Sequence, residues 1–343
     1  MIPHSRPWLT AADAAAVEHQ LRSESLADGR AARAFAERMG DWVAASYALA
    51  TASGAAALGL ALEVLSIGHG DEVVVPTYAC HRLADAIVRR GARPVPCDVG
   101  PHWVATADTI APAVTPRTRA VVVPHIYGIF ADVAACHRFG VPVIEDCAQA
   151  IGARRQPRLA GTVGIFSFHA TKCLTTGQGG IVATRDAALA RRLRACEQRG
   201  IEAPLGDPAA ALGLAQLDRY GRALAIRARY AEHYRGAIAP VAPEWLAHQQ
   251  PDRSMHYRFP MTVPGGIGWA GPRFARAGVA VRRGVDRLIH RELGLGDAAF
   301  PMATALFERT VCLPLYPALT PEDAARVAAA AADAARAGLE EAA

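Results

Sequence analysis

From about residue 44 to residue 185, short apolar runs rich in β-branched residues alternate with stretches of helical pattern. The apolar runs are AASYALAT, DEVVVPTY, RPVPCDV, RAVVVPHIYG, VPVIEDCAQ, VGIFSFHAT and GGIVATRD. Strands that are apolar along their whole length and separated by helices are typical of a parallel sheet with both faces covered. The alternation therefore predicts an α/β fold with a mainly parallel central sheet.

The pattern changes after Arg185. Two long helical segments follow, and then a region punctuated by Pro and Gly that contains MHYRFPMTV and ends in an alanine-rich helix. A chain of 343 residues, 52% of them hydrophobic, can bury a large core and is expected to form about two domains. We therefore predict a large domain over residues 1–238, including the N-terminal segment, and a smaller C-terminal α+β domain over residues 239–343.

Composition excludes several classes of function. The net charge of +5 is spread along the chain without a basic run interleaved with aromatics, which argues against nucleic-acid binding. The longest apolar run, ALGLALEVLSIG, contains Glu63 and is too short to span a membrane. The N-terminus lacks a signal-peptide pattern, and seven cysteines without a CxxC pair predict free thiols in the cytoplasm. Neither HExxH nor paired cysteines occur, so we predict no metal site.

A single lysine stands out in a chain that otherwise uses arginine. Lys172 is the only lysine, and the other 36 of the 37 basic residues are arginine. Arginine serves on a surface or in an ion pair, but it stays protonated and cannot attack a carbonyl. Schiff-base chemistry requires the amine of lysine. Codon bias that left one chance surface lysine is the competing interpretation, so the surrounding motifs must decide between the two.

Three further features indicate a site for a phosphorylated cofactor. The strand VIED ends in Asp146, at the carboxyl edge of the sheet, where open α/β folds bind ligands. The chain turns at Ser53 and Gly54 directly into a helix, whose free amides and positive dipole end can hold a phosphate. Ser167, five residues before the lysine, can offer a hydroxyl to the same anion. An amine, a carboxylate and a phosphate cradle at one sheet edge are what pyridoxal phosphate needs.

An ordered set of motifs runs nearly from end to end of the chain: SGAAAL, GDEVVVPTY, VPHIYG, PVIEDCAQA, SFHATKC, GLAQLDR and LPLYPALT. This set resembles the DegT/DnrJ/EryC1/StrS family of sugar aminotransferases, which are pyridoxal-phosphate enzymes of fold type I, the aspartate-aminotransferase fold. The resemblance implies that Lys172 binds the cofactor covalently and that Asp146 pairs with its pyridine nitrogen. It also implies cofactor contacts from six further residues: Ser53, Gly54, Ala55, Tyr78, Gln149 and Ser167.

The same resemblance implies an activity. Members of this family transfer an amino group from an amino acid donor to a keto acceptor, here a keto-sugar, for example a nucleotide-linked one, or a cyclitol ketone. A lysine at position 172 argues against the related sugar dehydratases, which carry histidine there. Family sites are shared between two subunits, which implies a homodimer.

The sequence departs from the family pattern at several places, among them Cys173 in place of the common asparagine and Gln178 where glutamate is frequent. Ala55 replaces the usual threonine, and the segment between Gly200 and Ala211 is shorter than the family loop that reaches the partner's site. The residue that stacks on the cofactor ring stays open between Tyr78, Cys80 and His81. The phosphate is therefore expected to depend on few contacts.

Two alternatives from other classes remain. GIGWAG, residues 266–271, fits the GxGxxG pattern of nicotinamide dehydrogenases, with Asp286 twenty residues after the first glycine. A GxGxxG match indicates a dinucleotide site only within a strand-helix-strand unit. Here Pro272 follows at once and no such unit is visible, which argues against this alternative. The second alternative is a non-catalytic or regulatory protein that keeps the fold, which the shortened segment makes worth testing.

Overall fold

A seven-stranded sheet forms the centre of the protein. The computed structural model describes residues 1–23, 26–27, 29–151 and 158–342. The strands of the central sheet are β1 (Tyr47–Thr51), β2 (Glu72–Pro76), β3 (Arg93–Cys97), β4 (Thr118–Pro124), β5 (Val143–Asp146), β6 (Val163–Ser167) and β7 (Gly180–Thr184). Their order across the sheet is β1-β7-β6-β5-β4-β2-β3. All neighbours from β3 to β6 pair in parallel, and β7 runs antiparallel to β1 and β6, which confirms the predicted mainly parallel sheet.

Helices cover both faces of this sheet. Those that precede the C-terminal part are α1 (Ala11–Arg22), α2 (Arg30–Trp42), α3 (Gly54–Val64), α4 (Arg82–Arg89), α5 (Ala107–Ile110), α6 (Val133–Cys136), α7 (Ala187–Arg199), α8 (Asp207–Leu217) and α9 (Tyr220–Ile238). Leu58, Val74 and Val122 belong to one buried cluster, whereas Phe35 and Phe166 belong to another. Because the sheet is covered on both sides, β2 and β5 are buried at every residue, which explains their continuous apolar sequence.

A second sheet of three antiparallel strands lies in the C-terminal part. Its strands are β8 (Phe259–Thr262), β9 (Arg282–Arg283) and β10 (Thr310–Leu313), accompanied by α10 (Gly266–Arg276), α11 (Ile289–Glu292), α12 (Pro301–Arg309) and α13 (Pro321–Ala342). Its core includes Phe259 and Val311, together with Tyr234 from α9 and Ile2 from the N-terminus. The N-terminal segment thus packs with the C-terminal sheet, and the domain boundary at residue 238 stays a prediction.

The GIGWAG motif has a packing role in this C-terminal sheet. Gly266 opens α10 instead of forming a loop before it, and the remaining glycines lie inside the helix. A Cβ on Gly266 would lie 1.8 Å from the carbonyl oxygen of Glu308, so only glycine allows this close approach. Strands β8 and β10 pair antiparallel, whereas a dinucleotide site needs a parallel strand-helix-strand unit. The geometry gives the dehydrogenase alternative no support.

The sequence predicts that the chain has no membrane-spanning helix and that its cysteines are free thiols. No helix in the described part of the chain has both the length and the apolar character needed to cross a bilayer. All seven cysteines carry free thiols.

Candidate active site

The solitary lysine lies in a tightly held loop between β6 and β7. Phe168 N donates to Gly179 O at 2.9 Å, and Thr176 N donates to Phe168 O at 2.9 Å, which closes the loop at its base. Lys172 N itself donates to His169 O at 2.8 Å. Gln216, from the GLAQLDR motif on α8, accepts from Thr175 N at 3.1 Å through its Oε1. The loop therefore presents the lysine from a fixed backbone.

Asp146 ends β5 and is buried, with 6% of its surface exposed. Its Oδ1 accepts from Ala148 N at 2.9 Å, and in the described part of the chain its Oδ2 has no hydrogen-bond donor. Burial raises the pKa of this carboxyl, and the hydrogen bond from Ala148 and the charge of Lys172 partly oppose that shift. The aspartate and the lysine are therefore electrostatic neighbours, as the sheet-edge argument predicts.

A buried hydrogen-bond network supports the strand end that carries Asp146. His125 N donates to Asp146 O at 3.1 Å, and the His125 ring lies between Glu145 Oε1, 2.9 Å from Nε2, and Ala131 N, which donates to Nδ1 at 3.1 Å. His125, Glu145 and Cys147 are close enough to hold a metal ion. However, the ring nitrogens of His125 and the Glu145 carboxylate are already engaged in hydrogen bonds. The arrangement suits a rigid support better than a metal centre.

The N-terminus of α3 forms an anion cradle beside this edge. Ser53 caps the helix by accepting from Ala56 N at 3.1 Å, and the first intrahelical bond runs from Ala57 N to Ser53 O at 2.9 Å. The amides of Gly54 and Ala55 precede that bond and point out of the helix end, where the helix dipole also favours an anion. The helix end therefore has the amide donors that an anion needs, and phosphate binding there stays a prediction.

Ser167 closes the cradle from the neighbouring strand. A Cβ on Gly54 would lie 2.9 Å from Ser167 Cβ, so the glycine allows the helix end to approach the last residue of β6. Within the described residues the Ser167 hydroxyl has no hydrogen-bond partner. Gly180 similarly allows the Ser53 carbonyl to pack closely, because its Cβ would lie 2.3 Å from that oxygen. A free hydroxyl is thus placed next to two free amides.

Gln149 presents an amide donor at the same edge. Its Oε1 accepts from Tyr127 N at 2.8 Å, which leaves its Nε2 available to donate to a ligand. The residue is half-buried in the turn after β5. A hydroxyl on a bound ring is a suitable acceptor, as the resemblance implies.

Tyr78, to which the resemblance gives a cofactor contact, follows the carboxyl end of β2 by two residues. It is fully buried, and its hydroxyl lies 2.7 Å from the Tyr127 hydroxyl. Cys80 is exposed as a residue, but its sulfur is more enclosed than the residue as a whole, and that burial raises the pKa of the thiol. The charges of Lys172 and Asp146 also act on it. Cys80 therefore lies within electrostatic reach of Lys172 and Asp146, and the residue that stacks on the cofactor ring stays open between Tyr78, Cys80 and His81.

Tyr257 is a site residue that the sequence analysis missed. Lys172 Nζ lies 5.3 Å from the centroid of the Tyr257 ring, and Tyr257 N donates to Tyr127 O at 3.1 Å. Burial opposes ionisation of its hydroxyl, but the charges of Arg258 and Lys172 outweigh that effect and hold the pKa of Tyr257 below its usual value. The MHYRFP segment carries no pattern that announces such a role, since the contact joins residues far apart in the chain.

Comparison with known proteins identifies the family. The model of the DegT/DnrJ/EryC1/StrS aminotransferase family matches residues 7–332. The chain belongs to this family. The aminotransferase TlmJ from Streptoalloteichus hindustanus has a similar structure, with a TM-score of 0.87, 30% sequence identity and 99% of each chain covered. The predicted family and fold type are therefore confirmed.

Two curated aminotransferases are similar to this chain over part of the sequence. The L-glutamine:2-deoxy-scyllo-inosose aminotransferase of Streptomyces fradiae is 40% identical over 185 residues, which are 52% of this chain and 44% of that enzyme. The UDP-N-acetyl-3-dehydro-alpha-D-glucosamine 3-aminotransferase of Acidithiobacillus ferrooxidans is 41% identical over 181 residues, 50% of this chain and 49% of that enzyme. The chain thus spans about half the length of the curated relatives it matches.

The site fits pyridoxal phosphate, the cofactor of the DegT/DnrJ/EryC1/StrS family. Asp146 offers an unshared carboxylate oxygen for a protonated ring nitrogen, and Gln149 offers an amide for the ring hydroxyl. The α3 cradle and Ser167 offer donors to a phosphate. The individual assignments remain predictions, and each can be tested by substitution.

The segment between Gly200 and Ala211, which the sequence analysis describes as shorter than the family loop, contacts other parts of the same chain. Between α7 and α8 the chain forms a short connection in which Pro204 pairs with Thr51 and Ala203 O accepts from Ala52 N at 2.8 Å. Leu205 is buried and packs against the lysine loop near Gly179. This segment therefore packs beside the start of α3 and the lysine loop of the same chain.

Ser167→Ala should weaken cofactor binding about tenfold or more, because a hydrogen bond to a charged group contributes about 1.5–3 kcal/mol. Ala55 lacks a hydroxyl, so few other donors can replace the lost one. We expect the variant to lose cofactor on dialysis and to regain activity with added pyridoxal phosphate. Titration of the apo-protein measures the affinity, and Ser46→Ala, just before the start of β1, is the control. An unchanged affinity would assign the phosphate to another group, such as Arg199 or a partner residue.

Proposed function

We propose that the protein is an aminotransferase that moves an amino group from an amino acid to the ketone of a cyclitol or a nucleotide-linked sugar. The observation that carries this proposal is the placement of the only lysine beside a buried aspartate and a helix N-terminus at one sheet edge. An amine, an acid and an anion cradle in this arrangement serve amino transfer, because each meets a separate part of the cofactor.

The residues have separate tasks in this reaction. When bound, pyridoxal phosphate supplies an electron sink and a carrier for the amino group. Asp146 holds a carboxylate against the ring nitrogen and so favours its protonated form. The Lys172 amine takes the proton from the α carbon of the donor as a general base. It then delivers the proton to the cofactor as a general acid. Arginine could not alternate between these protonation states.

The acceptor class follows from the relatives. The Streptomyces fradiae enzyme is named for a cyclitol ketone and the Acidithiobacillus ferrooxidans enzyme for a nucleotide-linked keto-sugar. Both acceptors are polyhydroxylated ring ketones, which supports that class for this protein. We also propose a cytoplasmic homodimer in a biosynthetic pathway of natural products. The free thiols support the compartment and family membership supports the dimer.

A purified protein tests the function in two steps. The first is an absorption spectrum. Bound cofactor should make the protein yellow, and addition of L-glutamine or L-glutamate should bleach that colour. The second supplies 2-deoxy-scyllo-inosose or a UDP-linked 3-keto-sugar as acceptor and measures the aminated product. A protein that binds cofactor but reacts with no donor or acceptor would instead support the non-catalytic alternative.

A further inference from the structure

The guanidinium of Arg258 lies beside the candidate site without an acidic partner. Its Cζ is 4.9 Å from the centroid of the Tyr257 ring, the ring that Lys172 Nζ approaches to 5.3 Å. Its Nη1 donates to His4 Nδ1 at 2.7 Å, and its Nη2 donates to the Tyr257 hydroxyl at 3.4 Å. In the described ranges no aspartate or glutamate pairs with it. A half-buried cation therefore stands near the reacting amine.

His4 holds this guanidinium without neutralising it. Burial, together with the charges of Arg258 and Arg282, lowers the pKa of His4 to about 2, so the ring is neutral at physiological pH and accepts the hydrogen bond. Ile2 fixes the segment, because its N donates to Gly278 O at 2.7 Å and its O accepts from Ala280 N at 2.9 Å. The N-terminus thus orients Arg258 and leaves its positive charge available.

A neighbouring arginine shows what a purely structural cation looks like in this protein. Arg227 has only 4% of its surface exposed, and its Nη1 donates to the carbonyls of Tyr257, at 3.0 Å, and Leu315, at 2.7 Å. Such a guanidinium ties backbone segments together and is closed to ligands. Arg258 is more exposed, and its side-chain partners in the described ranges are a neutral imidazole and a phenol.

An uncompensated charge in a partly buried site favours an anionic ligand. Removing a cation from water costs free energy that a paired carboxylate offsets, and arginine binds carboxylates through two parallel hydrogen bonds. An amino acid donor brings such a group. Its α-carboxylate is bonded to the carbon that carries the reacting amine, so it must lie close to Lys172 during transfer.

We propose that Arg258, oriented by His4, binds the α-carboxylate of the amino donor. This inference rests on the proposed aminotransferase function and assigns the residue that lets an amino acid serve as donor. An arginine that only joined the N-terminal segment to β8 would influence stability and leave discrimination between donors unchanged.

The test compares L-glutamine with its α-amide, which lacks the carboxylate, in the wild type and in Arg258→Gln. The donor half-reaction is followed by absorbance over a range of donor concentrations. In the wild type, amidation should weaken the apparent affinity about tenfold or more, as expected for loss of a charge-assisted hydrogen bond. In the variant this difference should largely disappear, since the two changes remove the same contact. An equal cost of amidation in both proteins would overturn the proposal.

Two further variants test whether the effect belongs to the guanidinium of Arg258. Arg258→Lys keeps the charge but loses the planar fork, so it should show an intermediate cost of amidation, and it decides the matter if the glutamine variant does not fold. A cost equal to that of the wild type would again count against the proposal. Arg276→Gln, an exposed change on α10, should behave as the wild type.

If the wild type reacts with no donor, the proposed function fails separately. Calorimetry with glutarate then judges the anion site without turnover: weaker binding in the Arg258→Gln or Arg258→Lys variant supports it, and equal binding overturns it.

Discussion

Lys172→Arg is expected to lower turnover by about 10⁴-fold or more while leaving the protein folded. The substitution keeps a positive charge in the loop that Gln216 and the base hydrogen bonds hold. It removes the amine that we propose binds the cofactor covalently and moves the proton. Because this is the only lysine of the chain, no other lysine amine can substitute for it.

Borohydride reduction followed by peptide mapping measures the attachment directly. The cofactor should be found on Lys172 in the wild type and on no peptide of Lys172→Arg. Arg191→Lys, which adds a second and exposed lysine, is a useful control because the cofactor should stay on Lys172 in that variant. Attachment to the N-terminal amine alone, or activity in Lys172→Arg, would show that the lysine is a surface residue kept by chance.

Asp146→Ala should slow the half-reaction with the amino donor by about 100-fold or more, because a preorganised charge at the reacting centre is lost. Covalent attachment of the cofactor should persist, since Lys172 is unchanged. Rapid-mixing absorbance measurements give the rate separately from binding. The effect is expected on the rate of proton removal, for which a protonated ring nitrogen is needed.

Asp146→Asn separates charge from backbone support. It keeps an acceptor for Ala148 N but carries no charge, so it should be about as slow as the alanine variant. Asp132→Asn, in the exposed cap of α6, removes a charge elsewhere and should leave the rate unchanged. If Asp146→Ala reacted at the wild-type rate, Asp146 would serve only to cap the turn after β5.

Much of the fold could be predicted because its signals are local. The apolar runs that predict a parallel sheet are the seven strands of that sheet, and the sequence order of Ser53 and Gly54 already defines the cap and first turn of α3. GIGWAG shows the limit of such reasoning. The spacing of its glycines matches a dinucleotide motif, but close contact between Gly266 and the Glu308 carbonyl explains the first glycine.

Some residues of the candidate site could likewise be predicted from the sequence, and others could not. Parallel strands bring their carboxyl ends to one edge, so the sequence predicts that Asp146, Ser167 and Lys172 lie together, whereas the role of Gln149 rests on the resemblance alone. Tyr78 belongs to the same sequence neighbourhood, yet its side chain turns into the core and pairs with Tyr127.

Only the tertiary structure decided which distant residues complete the site. Tyr257 lies 85 positions after Lys172, and His4 lies 254 positions before Arg258. Their contacts depend on how the N-terminal segment and β8 pack against each other. Residue spacing along the chain carries the period of a helix or strand, whereas contacts between remote segments arise from packing and have no period to detect.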